Sequence, residues 1–303
     1  MLSLRRSGFA ASRTGASSRF SRAARPTSTT SDSGSGNTQE PYSPSQRRRQ
    51  DARMIRVVIN GAAGRMGQRL VALISQDNGL QLRAAVEATG HSQLGMDAGT
   101  LAGVEPLSVP LTDQYPGSAD VVIDFSVPAG TRRAIHACVQ TKAALVIGTT
   151  GLSGDDHQAI DDAAKTVAVL QAPNMSLGVN LLFALCAQVA KQLGDDYDIE
   201  ITETHHRFKL DAPSGTALAM AKAICDATGK AFDGDVVYGR HGDEVPRKRG
   251  QIGMHAIRSG DVVGRHTAGF ATLGEELQLT HIASSRDVFA RGALRAAVWL
   301  ADK

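Results

Sequence analysis

The chain is predicted to take an α/β fold: an N-terminal Rossmann-like parallel-sheet domain, then a second α+β domain with a mixed or antiparallel sheet. Three observations carry that prediction. A short apolar strand starting at Ile55 breaks into glycines at 61, 64 and 67 and runs into a helix, the strand–turn–helix context of a dinucleotide fingerprint. Continuous apolar runs then alternate with helical stretches, as in parallel strands covered on both faces. After residue 230 the strands alternate between apolar and polar positions, which marks a different sheet with one solvated side.

Length and composition bound the reading. A chain of 303 residues with 42% hydrophobic content holds one large or two ordinary domains around ample core. The formal charge of +3 hides an asymmetry, because residues 1 to 53 carry ten arginines against Asp32, Glu40 and Asp51. From Met54 onward the balance is mildly acidic, which argues against a nucleic-acid groove as the body's main business. Cys138, Cys186 and Cys225 are widely spaced and lack metal-ligand spacing, as expected of buried thiols in a reducing compartment. No apolar run is expected to reach bilayer length.

Residues 1–53 are rich in Ser, Arg, Ala and Gly and poor in aliphatics, so they are expected to form a disordered or cleavable tail. Their composition resembles an organelle transit peptide. A disordered extension and an upstream start codon are the alternatives, and the clean onset of pattern at Met54 favours these two, with a cytoplasmic location for the body. Residues 54–176, with 285–303 returning to them, are assigned to the dinucleotide-binding domain. Residues 177–284 are assigned to substrate binding and oligomerisation.

The elements follow in order. The motif Gly61-Ala62-Ala63-Gly64-Arg65-Met66-Gly67 lets backbone turn tightly and approach a pyrophosphate, with the next helix offering its N-terminus to the charge. A second strand from Leu80 ends at Glu87, 20 residues beyond Gly67, where a ribose-binding acid is expected. Asp120–Ser126 reads as a buried parallel strand followed by a helix from Pro128. Strands from Ala144 and Val167 end in the small-residue clusters Gly148-Thr149-Thr150 and Ala172-Pro173-Asn174-Met175. Open parallel sheets bind ligands at that carboxyl edge, so both clusters are candidate nicotinamide-side contacts, although either alone is compatible with simple turn chemistry. A long helix from about Ser176 to Gln192 leads to the second domain.

The densest chemistry lies in Glu203-Thr-His-His-Arg-Phe-Lys-Leu-Asp-Ala-Pro-Ser-Gly-Thr216. The alternating run from Asp198 predicts a half-buried strand that delivers His205 and His206 to its end. Ser214 is placed as N-cap of a helix through Ile224, so the N–H groups of Gly215, Thr216 and Ala217 are expected to face an anion, with Lys209 and one histidine beside it. A His-His pair before a basic loop is also compatible with a solvated edge. His241, His255, His266 and His281 form no metal-spaced set, and no metal is expected.

The glycine motif, Gly148-Thr-Thr-Gly151, Ala172-Pro-Asn-Met175 and above all the stretch from Glu203 to Thr216 resemble the 4-hydroxy-tetrahydrodipicolinate (dihydrodipicolinate) reductase family from Met54 to nearly the end. The resemblance implies that His205 is the proton donor or acceptor and Lys209 the proton donor. It implies substrate contacts at His206, Gly215 and Thr216, and a nucleotide site at the first glycine motif, Glu87, Gly148–Thr150 and Ala172–Met175. It also implies a homotetramer assembled through the second-domain sheets, with a small dicarboxylate as substrate; from charge balance and apolar-run length, neither nucleic acid nor membrane is expected as partner.

One departure matters: many relatives follow the ribose acid with an arginine, but here position 88 is alanine. NADH is therefore expected to be preferred or equal, with NADPH also used and Arg65 the nearest evident compensation for a 2′-phosphate. The rival classes are a non-catalytic nucleotide sensor, which would not need the histidine-lysine cluster, and a nucleic-acid protein using the arginine-rich tail.

Overall fold

The computed structural model describes residues 3–5 and 53–303. The rest of the N-terminal segment, including most of the stretch expected to be a disordered or cleavable tail, lies outside the described residues. The three described there form β1 (Ser3–Arg5), which pairs antiparallel with β7 (Val169–Gln171). An outer strand presents unpaired N–H and C=O groups, and a short extended segment satisfies them.

The first sheet runs β1-β7-β6-β5-β2-β3-β4, with β2 (Ile55–Asn60), β3 (Leu80–Val86), β4 (Leu111–Thr112), β5 (Val121–Asp124), β6 (Ala144–Ile147) and β7 all parallel. In chain order from β2 this is the doubly wound arrangement, whose order reverses between β2 and β5. The crevice beyond their carboxyl ends is where such sheets bind ligands. Buried Val, Ile, Leu and Ala dominate β5 and β6 and the carboxyl halves of β2 and β3, where helices cover both faces, while Gln81 and Arg83 of β3 are exposed. On one face α1 (Arg65–Ile74) and the last helix, α8 (Asp287–Leu300), pack into a shared core. On the other lie α3 (Pro128–Thr141) and α4 (Gly154–Ala163). The short α2 (Ala98–Leu101) is capped by Asp97.

The second sheet is mixed, ordered β12-β11-β8-β10-β9. Its strands are β8 (Asp198–His205), β9 (Val236–Tyr238), β10 (Ile252–Arg258), β11 (Gly264–Thr272) and β12 (Glu275–Ala283). Helices α5 (Leu177–Leu193) and α6 (Gly215–Thr228) cover one face through Phe183, Ile201, Met220, Ile224 and Phe270, and the short α7 (Phe232–Asp235) leads into β9. On β8 the period-two alternation buries Ile199, Ile201, Glu203 and His205 on one side.

The expectation that no apolar run reaches bilayer length is corrected by α5. With the turn after it, Leu177–Asp196 has the length and composition of a membrane span. Here Val179, Leu182, Phe183, Cys186 and Ala190 are turned into the second core.

Candidate active site

At the reversal point, sequence dictates backbone-to-backbone contact. Gly61 sits at φ +80°, and a Cβ there would stand 2.5 Å from the Phe125 carbonyl oxygen. A Cβ on Gly67 would stand 2.1 Å from the Gly61 oxygen, so the loop and α1 touch without side chains. Gly64, the exposed N-cap of α1, has no capping side chain among the described residues, leaving the first N–H groups of the helix open to an anion. Ala62 and Met66 pack into the first core, so they have backbone to offer a ligand, while Arg65 is exposed. The Glu87 carboxylate accepts from the N–H of Ala63 at 3.2 Å and of Ala88 at 3.0 Å, which holds the predicted ribose acid against the glycine loop. A pyrophosphate-bearing nucleotide fits this cradle.

Beneath it lies a residue that sequence reasoning passed over. Asp124 is fully buried at the end of β5. It accepts from Asn60 Nδ2 at 2.7 Å, Ser126 Oγ at 2.5 Å, Thr131 Oγ1 at 2.6 Å and Thr149 Oγ1 at 2.9 Å. These bonds tie the ends of β2, β5 and β6 to the start of α3. They also turn the Thr149 hydroxyl inward. Of its neighbours, Thr150 is exposed, and Gly148 is bare because the Phe125 ring occupies the space a Cβ would need. In the next cluster Ala172 and Met175 are buried, Pro173 is exposed and Asn174 is half-buried. Asn174 Nδ2 donates to Thr216 Oγ1 at 3.1 Å, so the predicted nicotinamide side and the predicted substrate side meet.

On the second sheet Glu203, fully buried, collects the bonds that define the histidine site. Arg258 donates to it from Nη1 at 3.0 Å and Nη2 at 2.9 Å, the Ser214 N–H at 3.0 Å and His205 Nδ1 at 2.5 Å. Burial pushes the Glu203 carboxyl up, but the Arg258, His205 and Ser214 bonds more than offset this, and it sits below the ordinary carboxylate range. Burial also lowers His205, against the pull of Glu203 and with the help of nearby Lys209 and Arg258. A neutral His205 that donates Nδ1–H to an ionised Glu203 has Nε2 as its basic atom.

Ser214 caps α6 by accepting the Ala217 N–H at 3.2 Å. That corrects the expectation of three free donors: the cap oxygen consumes the third, leaving Gly215, which is exposed, and Thr216. His266 Nε2 stands 3.0 Å from the same Ser214 oxygen, and its ring meets His205 edge to face at 5.0 Å between centroids. Burial, then the repulsion that a protonated His205 would exert, press His266 down to about 4. His206 Nε2 is 3.5 Å from Arg286 Nη2, while its Nδ1 is buried with no partner among the described residues. Lys209 Nζ donates to both oxygens of the exposed Asp211, at 2.8 and 2.9 Å.

The predicted residues thus gather in two connected groups, and Arg258, His266 and Arg286 join them unforeseen. Arg258 is paired with His205 across β10–β8, and His266 with Glu203 across β11–β8. Only strand register carries that signal.

Comparison with known proteins gives the family. Residues 55–175 match the family model described as dihydrodipicolinate reductase, N-terminus, and residues 178–303 its C-terminus counterpart. The chain is 46% identical over 253 residues to 4-hydroxy-tetrahydrodipicolinate reductase of Syntrophotalea carbinolica, covering 82% of this chain and 95% of that one. It is 48% identical over 254 residues to the enzyme of the same name from Anaeromyxobacter dehalogenans strain 2CP-C, covering 82% and 94%. Among solved structures, dipicolinate-bound dihydrodipicolinate reductase from Paenisporosarcina sp. TG-14 shares the fold, with a TM-score of 0.66 at 24% identity over 82% of this chain and 95% of that one. A crevice built for a dinucleotide, joined through Asn174 and Thr216 to a histidine site and matched along both halves, places this chain in the dihydrodipicolinate reductase family.

Proposed function

We propose that this chain converts 4-hydroxy-tetrahydrodipicolinate, a cyclic imine dicarboxylate, to tetrahydrodipicolinate in lysine and diaminopimelate synthesis, the 4-hydroxyl leaving as water and the ring taking up one proton and one hydride, as an oxidoreductase that takes its hydride from a reduced nicotinamide cofactor. The supporting observation is the Asn174–Thr216 bond, which sets the end of the parallel sheet against the start of α6. When bound, the cofactor supplies the hydride. The first N–H groups of α1, from Arg65 to Gly67, hold its pyrophosphate, and Glu87 accepts from its ribose hydroxyls. Gly148–Thr150 and Ala172–Met175 border the nicotinamide, chiefly through backbone.

The substrate needs cations and donors at two carboxylates and a proton at the reduced ring. The free N–H groups of Gly215 and Thr216 at the start of α6, together with His206 and Arg286, suit one carboxylate. Lys209 reaches the substrate by leaving Asp211, a solvent-exposed partner whose loss costs little. His205, its Nδ1 held by Glu203, and Lys209 handle the proton. NADH is preferred or equal and NADPH is also accepted, because Glu87 meets the ribose without an arginine at 88.

A homotetramer formed through the open face of the second sheet fits its composition. Ile257, Thr204, Arg265 and Ile282 lie side by side across four strands, with both isoleucines exposed. Neither nucleic acid nor membrane enters this reading, and the body acts in the cytoplasm. The test is loss of NADH absorbance with freshly generated dihydrodipicolinate precursor. Turnover that depends on His205 and Lys209 supports the proposal, and binding of nucleotide without turnover would leave only a sensor.

A further inference from the structure

We propose that Arg133 is the specificity-determining residue that lets the ribose pocket take a 2′-phosphorylated nucleotide, an inference that rests on the reading of the glycine loop as the cofactor site. A 2′-phosphate would bring about −1.5 to −2 charges beside Glu87. That carboxylate is fixed by the N–H groups of Ala63 and Ala88, so a phosphate has to be met by a cation brought to it. The candidate named from sequence, Arg65, is the exposed first residue of α1, at the pyrophosphate end of the cradle. Arg132, next to Arg133 in α3, is spent on Asp156 at 2.5 Å.

Arg133 is differently placed. Its Nη1 donates to the backbone carbonyl of Glu87 at 3.4 Å, its Nη2 to the carbonyl of Asp113, and its guanidinium carbon stands 5.9 Å from the Tyr115 ring centroid. The fork is therefore anchored at one corner by Asp113 and stacked on an aromatic face, with the other corner at Glu87. The Nη1 bond is long for an N–H donor to a carbonyl, so a phosphate oxygen can replace it. Nε carries a further donor. Beside these groups a cleft of about 490 Å³, lined by Asp113, Tyr115, Arg132, Arg133 and His136 among others, follows α3. The Tyr115 hydroxyl is buried with no partner among the described residues. A guanidinium with spare donors, held at the residue that would repel the phosphate, is the arrangement a dual-cofactor pocket needs.

The test measures dissociation constants for NADPH, NADH, 2′,5′-ADP and 5′-AMP with the full-length protein, its Arg133→Ala and Arg133→Lys variants, and Arg65→Ala. Arg133→Ala is expected to weaken NADPH and 2′,5′-ADP by about tenfold, the loss of one charge-assisted contact, while NADH and 5′-AMP change little. Arg133→Lys keeps the charge without the fork and is expected to fall between. Arg65→Ala is expected to weaken NADH and NADPH alike. Equal losses for both cofactors in Arg133→Ala, or an unchanged ratio, would overturn the proposal, as would selective loss of NADPH in Arg65→Ala. If Arg133→Ala does not fold, an unaltered ratio in Arg133→Lys overturns it. Wild-type protein that binds none of the four nucleotides would instead sink the cofactor reading itself.

Discussion

Asn174 Nδ2 donates to Thr216 Oγ1 at 3.1 Å, and this bond links the strand-end loop of the parallel sheet to the first turn of α6. Asn174 is itself fixed, since its Oδ1 accepts the Ser176 N–H and its carbonyl accepts Asn180 Nδ2. Hydride transfer demands that donor and acceptor carbons be held close, and an anchored amide between the two loops serves that end.

In a double-mutant cycle of Asn174→Ala and Thr216→Val, a coupling energy of about 1 kcal/mol is expected, the worth of one partly buried neutral hydrogen bond. Urea unfolding of the four proteins reads it. Strict additivity would show that the two loops are held together by other contacts.

Replacing Lys209 by alanine is expected to lower turnover ~100-fold or more, with the NADH dissociation constant barely changed, if the side chain serves the substrate as proposed. Asp211→Asn, which frees the same ammonium, should leave stability within about 1 kcal/mol of wild type and preserve turnover. Steady-state kinetics beside nucleotide titration separates the two. A Lys209→Ala protein with normal turnover but weak NADH binding would contradict the assignment.

Acid should weaken the fold through His266. Its folded pKa of about 4 lies below the 6.5 of the free side chain, so within that window the unfolded chain binds more protons. Stability is then complete above pH 6.5 and lost as pH falls toward 4, by on the order of 3 kcal/mol in all. Urea midpoints against pH should show this limb, and His266→Gln should flatten it. A limb of equal depth in the variant would assign the loss to other groups.

Installing Ala88→Arg is expected to raise kcat/KM for NADPH more than for NADH. The gain for a well-formed contact is about 1.5 to 3 kcal/mol, since the new guanidinium meets only the phosphate. A strong wild-type preference for NADPH would show that the pocket around Glu87 already carries its full complement of charge.

A protein beginning at Met54 should keep nearly full activity, oligomeric state and thermal midpoint. It loses β1, three residues at the rim of the first sheet, but no strand of the parallel core. Activity assay and calorimetry of the two forms decide this, and a lost oligomer would assign the N-terminal segment an assembly role.

Sequence by itself determined the order of the longer elements, because local spacing encodes them, but not β1, α2, β4, α4, α7 or β9. Three glycines after an apolar strand, continuous apolar runs, and Ser214 ahead of an alanine-rich stretch are each readable within a dozen residues. The same locality made His205, Lys209, Gly215 and Thr216 legible as a group. What lay beyond reach was set by partners far along the chain. Arg258 is 55 residues from Glu203, and His266 is 52 from Ser214. Each arrives through strand register, which a shift of one residue would reverse by turning its side chain to the other face. Asp124 was hidden for a related reason: within an apolar run it looks like a strand end, and only the convergence of Asn60, Thr131 and Thr149 makes its burial tolerable. Even Ala217, local as it is, was misjudged, because the geometry of the cap decides which N–H the serine takes. Pattern along the chain specifies which elements form. Which polar groups those elements bury together depends on packing, where an unpaired charge is costly and partners must come from wherever the fold brings them.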